Sequence, residues 1–216
     1  MQTNNIKCSV DELKRHLLAQ RTTKERFRLA LTQADAEQLL TAAYQAEVEY
    51  RHRAYVSDSC TEDNIRKVAA FLTGESSKFG LIFLGTSGNG KTTLLKAIQQ
   101  SMNFLSKQGM CDEGVVIVDA KDAAGVRDAK ERHTMRSRPI LAIEDMGREP
   151  TEVLDYGNVL NPIIDLLEYR YDEQLFTIIT TNLNPSEIRT KYGTRIADRF
   201  NEMFERVIFQ NQTYRV

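Results

Sequence analysis

Tryptophan is absent from the 216 residues, proline occurs 4 times, and cysteine and histidine only 3 times each. Cys8, Cys60 and Cys111 are far apart and odd in number, so they form neither a disulfide framework nor a CxxC site. The expectation from this usage is a reducing, cytoplasmic setting. His16, His52 and His133 are equally scattered, which argues against a zinc site. No apolar run approaches the ~18 residues of a membrane helix, and Met1-Gln2-Thr3-Asn4-Asn5 does not read as a signal peptide, so no membrane role is expected. No sign of charge dominates either: 29 basic against 30 acidic side chains leave a net −1, and any nucleic-acid binding must come from a local patch. What is present, 41% hydrophobic and 27% charged residues, is the balance of a folded globular chain and excludes general disorder. The length suits one domain, or a main domain with a small appendage.

The chain changes character near residue 75. Before it the patterns are helical only. Ser9-Val10-Asp11-Glu12 is a capping box followed by Leu13, Leu17 and Leu18 at helical spacing. Thr22 and Glu25 repeat the box ahead of Phe27, an amphipathic stretch runs from Asp35 to His52, Arg53 to Thr61 is a polar connection, and a helix over Glu62–Thr73 ends at Gly74. After residue 75, short apolar runs alternate with helical patterns, the signature of βαβ units and a parallel sheet. Five strands are expected, at Gly80–Leu84, Val115–Val118, Ile140–Ile143, Phe176–Thr180 and Arg206–Phe209. Helices are expected at Lys91–Lys107, Ala123–Met135, Val153–Tyr171, Pro185–Tyr192 and Thr194–Phe204. The division read from this is a helical region, 1–75, and an α/β domain, 76–216.

Gly85-Thr86-Ser87-Gly88-Asn89-Gly90-Lys91-Thr92 matches G-x-x-x-x-G-K-[ST], and Thr93 follows it. Glycines at these places let successive backbone N–H groups converge on phosphate, and the helix beginning at Lys91 adds its positive dipole end. Lys91 would contact the β- and γ-phosphates of ATP, and the Thr92 hydroxyl would ligate Mg²⁺. A glycine-rich turn can match by chance, but the strand–loop–helix context is what the motif requires. Among the apolar runs, Ile140-Leu141-Ala142-Ile143 is the one that ends in an acidic pair, Glu144-Asp145: the first acid would hold the metal, the second polarise an attacking water. Another strand, Phe176–Thr180, runs into Thr181 and Asn182, whose amide could reach the γ-phosphate or the lytic water.

This order of motifs resembles the AAA+ ATPases, and within them the DnaC/IstB-type helicase loaders. The residues that carry the likeness are Gly85–Thr92, Ile143-Glu144-Asp145-Met146-Gly147 with Glu149, Thr180-Thr181-Asn182-Leu183, and Tyr192-Gly193-Thr194-Arg195-Ile196-Ala197-Asp198-Arg199-Phe200. It covers Phe79 to the last residue. The resemblance implies a P-loop AAA+ core with a five-stranded parallel sheet, an N-terminal region that binds a partner, and no C-terminal lid domain. It makes Lys91 and Thr92 the Walker A residues, Glu144 and Asp145 the Walker B pair, Asn182 sensor 1, and Arg199 the arginine finger for a neighbour's ATP, with Arg195 as the runner-up. It also implies the activity of an ATPase in DNA replication: ATP and Mg²⁺ as cofactors, assembly of copies with ATP on single-stranded DNA, and delivery of a replicative helicase. An IstB-like transposition ATPase with a transposase client is the alternative, and a nucleotide-binding adaptor with little hydrolysis is another.

One position departs from the family: its first Walker B acid is normally Asp, and here it is Glu144. The extra methylene shifts a carboxylate at a metal that demands near-octahedral geometry, so the expectation is slow, Mg²⁺-dependent hydrolysis, with Glu144→Asp leaving binding intact and free to speed turnover. Arg127, Lys130, Arg132, His133, Arg136 and Arg138 form a basic stretch that could track phosphates of single-stranded DNA or simply face water. Lys14, Arg15, Arg21, Lys24, Arg26 and Arg28 form a second. If Arg199 is not a finger, the expected partners are Asp198 or Glu202. Tyr44, Tyr50 and Tyr55 receive no role.

Overall fold

The computed structural model describes residues 9–20, 25–150, 152–155, 158–211 and 213–214. In chain order the helices and strands are α1 (Val10–Gln20), α2 (Gln33–Tyr50), α3 (Ser59–Thr73), β1 (Gly80–Gly85), α4 (Lys91–Lys107), β2 (Val116–Asp119), α5 (Ala120–Gly125), α6 (Ala129–Arg136), β3 (Ile140–Met146), β4 (Val153–Asp155), β5 (Asn158–Leu160), α7 (Pro162–Asp172), β6 (Phe176–Thr181), α8 (Pro185–Tyr192), α9 (Thr194–Met203) and β7 (Phe204–Phe209).

Five strands form one all-parallel sheet in the order β2-β3-β6-β1-β7. Side chains alternate across it. Leu81 and Phe83 of β1 join one core with α2, α3 and α4, while Ile82 and Leu84 join the other with α5, α7, α8 and α9. Both faces are covered, which is why the inner strands read as unbroken apolar runs. The change of class at residue 75 marks where helices give way to the sheet, and the first core runs across it: Ala36, Leu40, Ile65, Val68 and Leu72 are buried against Leu94, Leu95 and Ile98.

Local chemistry sets the helix starts. The Ser9 box forms with both of its bonds, Ser9 N–H to Glu12 at 2.9 Å and Glu12 N–H to Ser9 Oγ at 3.2 Å. Asp58 caps α3 by accepting from the Thr61 N–H at 2.9 Å, so that helix begins a turn earlier than Glu62. Two expectations are corrected. The helix expected over Ala123–Met135 is two helices, because Asp128 caps a new start at Ala129 and Asp119 caps α5. The helix expected from Val153 begins at Pro162 instead, behind the antiparallel β4–β5 pair; proline has no N–H to give and suits the first helical position, not the middle. Thr22 of the second capping box lies outside the described residues, and Glu25 to Leu29 are not helical; Leu29 N–H bonds to Leu72 O at 2.7 Å.

A fully buried arginine pins the entry side of the sheet. Arg170 of α7 donates to Thr177 Oγ1 at 2.8 Å and to the carbonyls of Phe176 (2.6 Å), Arg138 (2.8 Å) and Arg136 (2.9 Å). Burial lowers its pKa, and the four acceptors replace the lost water around the charge. It joins the starts of β3 and β6 to the end of α6.

Candidate functional site

Parallel strands deliver their carboxyl ends to one edge, where α/β folds bind ligands. The loop from β1 to α4 lies there. Gly90 takes φ +95°, and a Cβ on it would come within 2.6 Å of the Tyr44 hydroxyl, so this position accepts glycine on two counts. Asn89 is buried and ties the loop to the end of β7 through Phe209 O at 3.1 Å. Lys91 Nζ is folded into the loop, 2.6 Å from Gly85 O, 2.6 Å from Thr86 O and 3.1 Å from Asn89 Oδ1. The backbone thus cradles its own cation at the place a phosphate chain would take.

β3 brings the acidic pair alongside. Thr92 Oγ1 donates to Glu144 Oε1 at 2.6 Å, so the first acid meets the hydroxyl at the start of α4 across 52 residues of sequence. Asp145 sits at φ +55°, its N–H bonded to Thr180 Oγ1 of β6 at 2.9 Å. Its carboxylate is paired with Arg148 at 2.5 Å. Asn182 follows β6 on the same edge and lines the same cavity. The turn after Asp145 is fixed from below: Gly147 N–H bonds to the buried Glu149 carboxylate at 2.8 Å, Tyr192 donates to that carboxylate, and Lys191 reaches Gly147 O at 2.6 Å and Glu149 O at 2.7 Å. Burial and the Glu149 contact together raise the Tyr192 pKa, so it stays a donor.

The cavity measures about 840 Å³. One wall is Ser87, Gly88, Gly90, Lys91, Thr92 and Thr93 with Glu144, Asp145, Arg148 and Asn182. The opposite wall was not legible in the sequence: Tyr44 and Val48 of α2, Ala54, Tyr55 and Val56 of the following segment, with Arg51, Arg53, Asp58 and Tyr214. Tyr44 and Tyr55 meet edge to face at 6.2 Å, and burial raises the Tyr44 pKa to about 12. Tyr44, Val48, Tyr55 and Val56 are apolar or aromatic bodies beside the glycine-rich loop, brought in from up to 47 residues upstream of Lys91 by the packing of α2 on α4. Thr92 and Glu144 offer hard oxygen donors, which fits Mg²⁺, an ion that uses one or two protein ligands and completes its shell with phosphate and water. Among the described residues no cluster of three or more metal-ligating side chains occurs.

The structure does not bring Arg199 or Arg195 into this cavity. Arg199 lies 3.2 Å from Glu168 and 3.6 Å from Asp172, over the Tyr171 ring at 4.6 Å; Arg195 lies 3.1 Å from Glu168. The expected pairing with Asp198 or Glu202 is corrected: Asp198 pairs with Arg189 and Glu202 accepts from Tyr171. In the basic stretch, Arg136 stacks on Tyr169 at 4.4 Å, and α6 buries no side chain. Of the second cluster, Arg26 meets Gln174 and the Phe79 ring, and Arg28 pairs with Glu75; Arg21 and Lys24 lie outside the described residues. No helix among the described residues is long and apolar enough to cross a membrane.

No family model matches the sequence. Among curated proteins it is 26% identical over 148 residues to DNA polymerase III subunit gamma/tau of Mycoplasma pneumoniae, covering 59% of this chain and 21% of that protein. The chain therefore spans about a fifth of the curated relative it matches. Among solved structures, the DnaC helicase loader superposes with a TM-score of 0.55 at 23% identity, covering 72% of this chain and 93% of that one. DnaI gives 0.55 at 21%, covering 75% and 88%. A DnaA of Aquifex aeolicus solved with AMPPCP gives 0.51 at 18%, covering 74% and 50%. The chain shares the parallel α/β fold of these proteins, and the likeness read from its motifs holds at the level of the fold.

Proposed function

We propose that this chain is an ATP-dependent DNA-replication protein, a helicase loader that binds ATP with Mg²⁺ and delivers a replicative helicase to single-stranded DNA. The observation that carries the reading is the meeting of Thr92 with Glu144 beside Lys91, in a cleft at the carboxyl ends of a DnaC-like sheet. Lys91 exchanges its loop carbonyls for the β- and γ-phosphates, while the N–H groups from Gly88 to Thr92 and the start of α4 hold the rest of the chain of charge. Thr92 and Glu144 hold Mg²⁺, which when bound neutralises charge building on the phosphate oxygens. Asp145 takes the proton of the attacking water, and Asn182 orients that water. The pairing of Asp145 with Arg148 favours a form in which nucleotide is bound and hydrolysed slowly, which keeps the adaptor reading in view.

Arg199 and Arg195 on α9 do not line their own cleft and pair with Glu168 of α7; to serve a neighbour's ATP in an ATP-dependent assembly of copies, Arg199 exchanges Glu168 and Asp172 for the neighbour's phosphate. The partner-binding role of the N-terminal region falls on α1, since α2 and α3 spend their apolar faces in the core. Val10, Leu13, Leu17 and Leu18 of α1 are all exposed. The basic stretch around α6 supplies the cations for phosphates of DNA.

The test is calorimetric titration of Mg-ATP into wild type and Lys91→Ala, followed by capture of partners from the source lysate with and without ATP. Binding should be lost in the variant, and a replicative helicase should be recovered with the wild type. Unchanged affinity in Lys91→Ala would defeat the site assignment, and recovery of a transposase would transfer the protein to transposition.

A further inference from the structure

We propose that Asn211 and Tyr214, which follow β7, form a strap that holds the phosphate-binding loop in shape, with Tyr214 as its positioning residue. This deepens the nucleotide-binding reading of the cleft and rests on it.

Every polar group of Tyr214 is engaged. Its N–H donates to Gly88 O at 2.9 Å, its carbonyl accepts from Arg53 at 2.6 Å, and its hydroxyl lies 2.6 Å from Asp58 Oδ2 and 3.1 Å from Thr61 Oγ1. Asn211 adds bonds to Tyr214 Oη and, at 3.0 Å, to Asp58 Oδ1. The ring rests on the loop as well: a Cβ on Gly90 would lie 3.6 Å from it. One residue thus bridges the loop, the 53–58 segment and the capped start of α3, none of which is its neighbour in sequence.

The bond to Gly88 has a directional consequence. In a trans peptide the C=O and the next N–H point opposite ways. Holding the Gly88 carbonyl toward the strap therefore aims the Asn89 N–H away from it, into the loop, where a phosphate oxygen would be met. Without the strap this peptide can rotate, because Gly88 is itself a glycine at φ +86° and tolerates many conformations. A loop that must be ordered on binding gives up affinity for that ordering. Tyr214 acts on the ground-state grip of phosphate and not on the reacting water, so its loss should raise KM and leave kcat at saturation unchanged.

The experiment uses the full chain. Amide hydrogen exchange of the peptide spanning 85–92 is followed without nucleotide in wild type, Tyr214→Phe and Tyr214→Ala, and Mg-ATP affinity and steady-state hydrolysis are measured on the same proteins. Exchange should speed up in Tyr214→Ala, and affinity should fall by about tenfold or more, with Tyr214→Phe, which keeps the ring and the Gly88 bond, losing only about threefold. A change below twofold in Tyr214→Ala, or a tighter affinity because the tail had been occupying the cleft, overturns the proposal, as does an equal fall in kcat. Should wild type bind no ATP, the reading of the cleft fails, and the exchange result alone decides the strap: faster exchange upholds it and unchanged exchange defeats it.

Discussion

Glu144→Asp is the substitution on which sequence and structure give opposite forecasts. From the sequence, aspartate restores the family pattern and should leave turnover equal or faster. In the folded chain Thr92 Oγ1 already lies 2.6 Å from Glu144 Oε1, so the longer side chain is the one the site is built around. Removing one methylene withdraws the carboxylate by about 1.5 Å, the length of a C–C bond. The contact would open to about 4 Å, outside hydrogen-bond range. Mg²⁺ demands ligands near 2.0–2.1 Å, so a carboxylate displaced that far acts only through water. A hydrogen bond to a charged group is worth about 1.5–3 kcal/mol, which converts to about ten- to a hundredfold. ATP affinity in EDTA should stay within about twofold of wild type, while the gain on adding Mg²⁺ shrinks and phosphate release slows by about tenfold or more. Calorimetry with and without Mg²⁺, beside a phosphate-release assay, measures both. Turnover in Glu144→Asp equal to or above wild type would refute the reasoning, because it would mean that the Thr92–Glu144 contact does not set the metal's position.

Three further outcomes are expected. Arg199→Ala and Lys91→Ala should each be inactive alone, and mixing them should partly restore hydrolysis, since an intact Lys91 pocket can then face an intact Arg199; a mixture as dead as its components, where wild type assembles, removes the shared site. Arg170→Met takes the donor from the carbonyls of Phe176, Arg138 and Arg136, while Thr177 keeps its bond to Leu175 O; at about 1–3 kcal/mol per unpaired acceptor the loss is about 3–5 kcal/mol, so thermal unfolding should fall by roughly 6–20 °C, and a drop under about 2 °C would show that the pin is dispensable. Asp58 gives a pH signature: burial pushes its carboxyl up, but hydrogen bonds from Tyr214, Thr61 and the Cys60 amide outweigh that and hold it below the ordinary 3.8. A carboxylate lowered in the fold stabilises above its unfolded value and loses that contribution as pH falls through the folded one. Asp58→Asn should therefore melt lower than wild type at pH 7, with the gap closing below about pH 4; a gap that stays constant from pH 7 to 3 would mean that the charge of Asp58 contributes nothing.

What the sequence determined by itself is whatever depends on neighbours along the chain. The strand–loop–helix of Gly85–Thr92 was legible because its glycines and the lysine that opens the helix are consecutive in the chain, and the three inner strands because a sheet covered on both faces needs unbroken apolar runs. The Ser9–Glu12 box was legible for the same reason. Misreadings arose where a single residue overrode a period: Asp128 split one expected helix, and Pro162 moved the start of another. Only the tertiary structure decided the far wall of the cleft and its strap. Tyr44, Arg53, Asp58 and Tyr214 are separated by as many as 170 residues, and no spacing rule joins them; they meet because α2 and α3 bury their apolar faces on α4 and because β7 ends beside the Gly85–Thr92 loop. The reach of Glu144 to Thr92 belongs to the same class. A carboxylate's length has meaning only against the distance between β3 and α4, and that distance is set by the packing of the whole sheet.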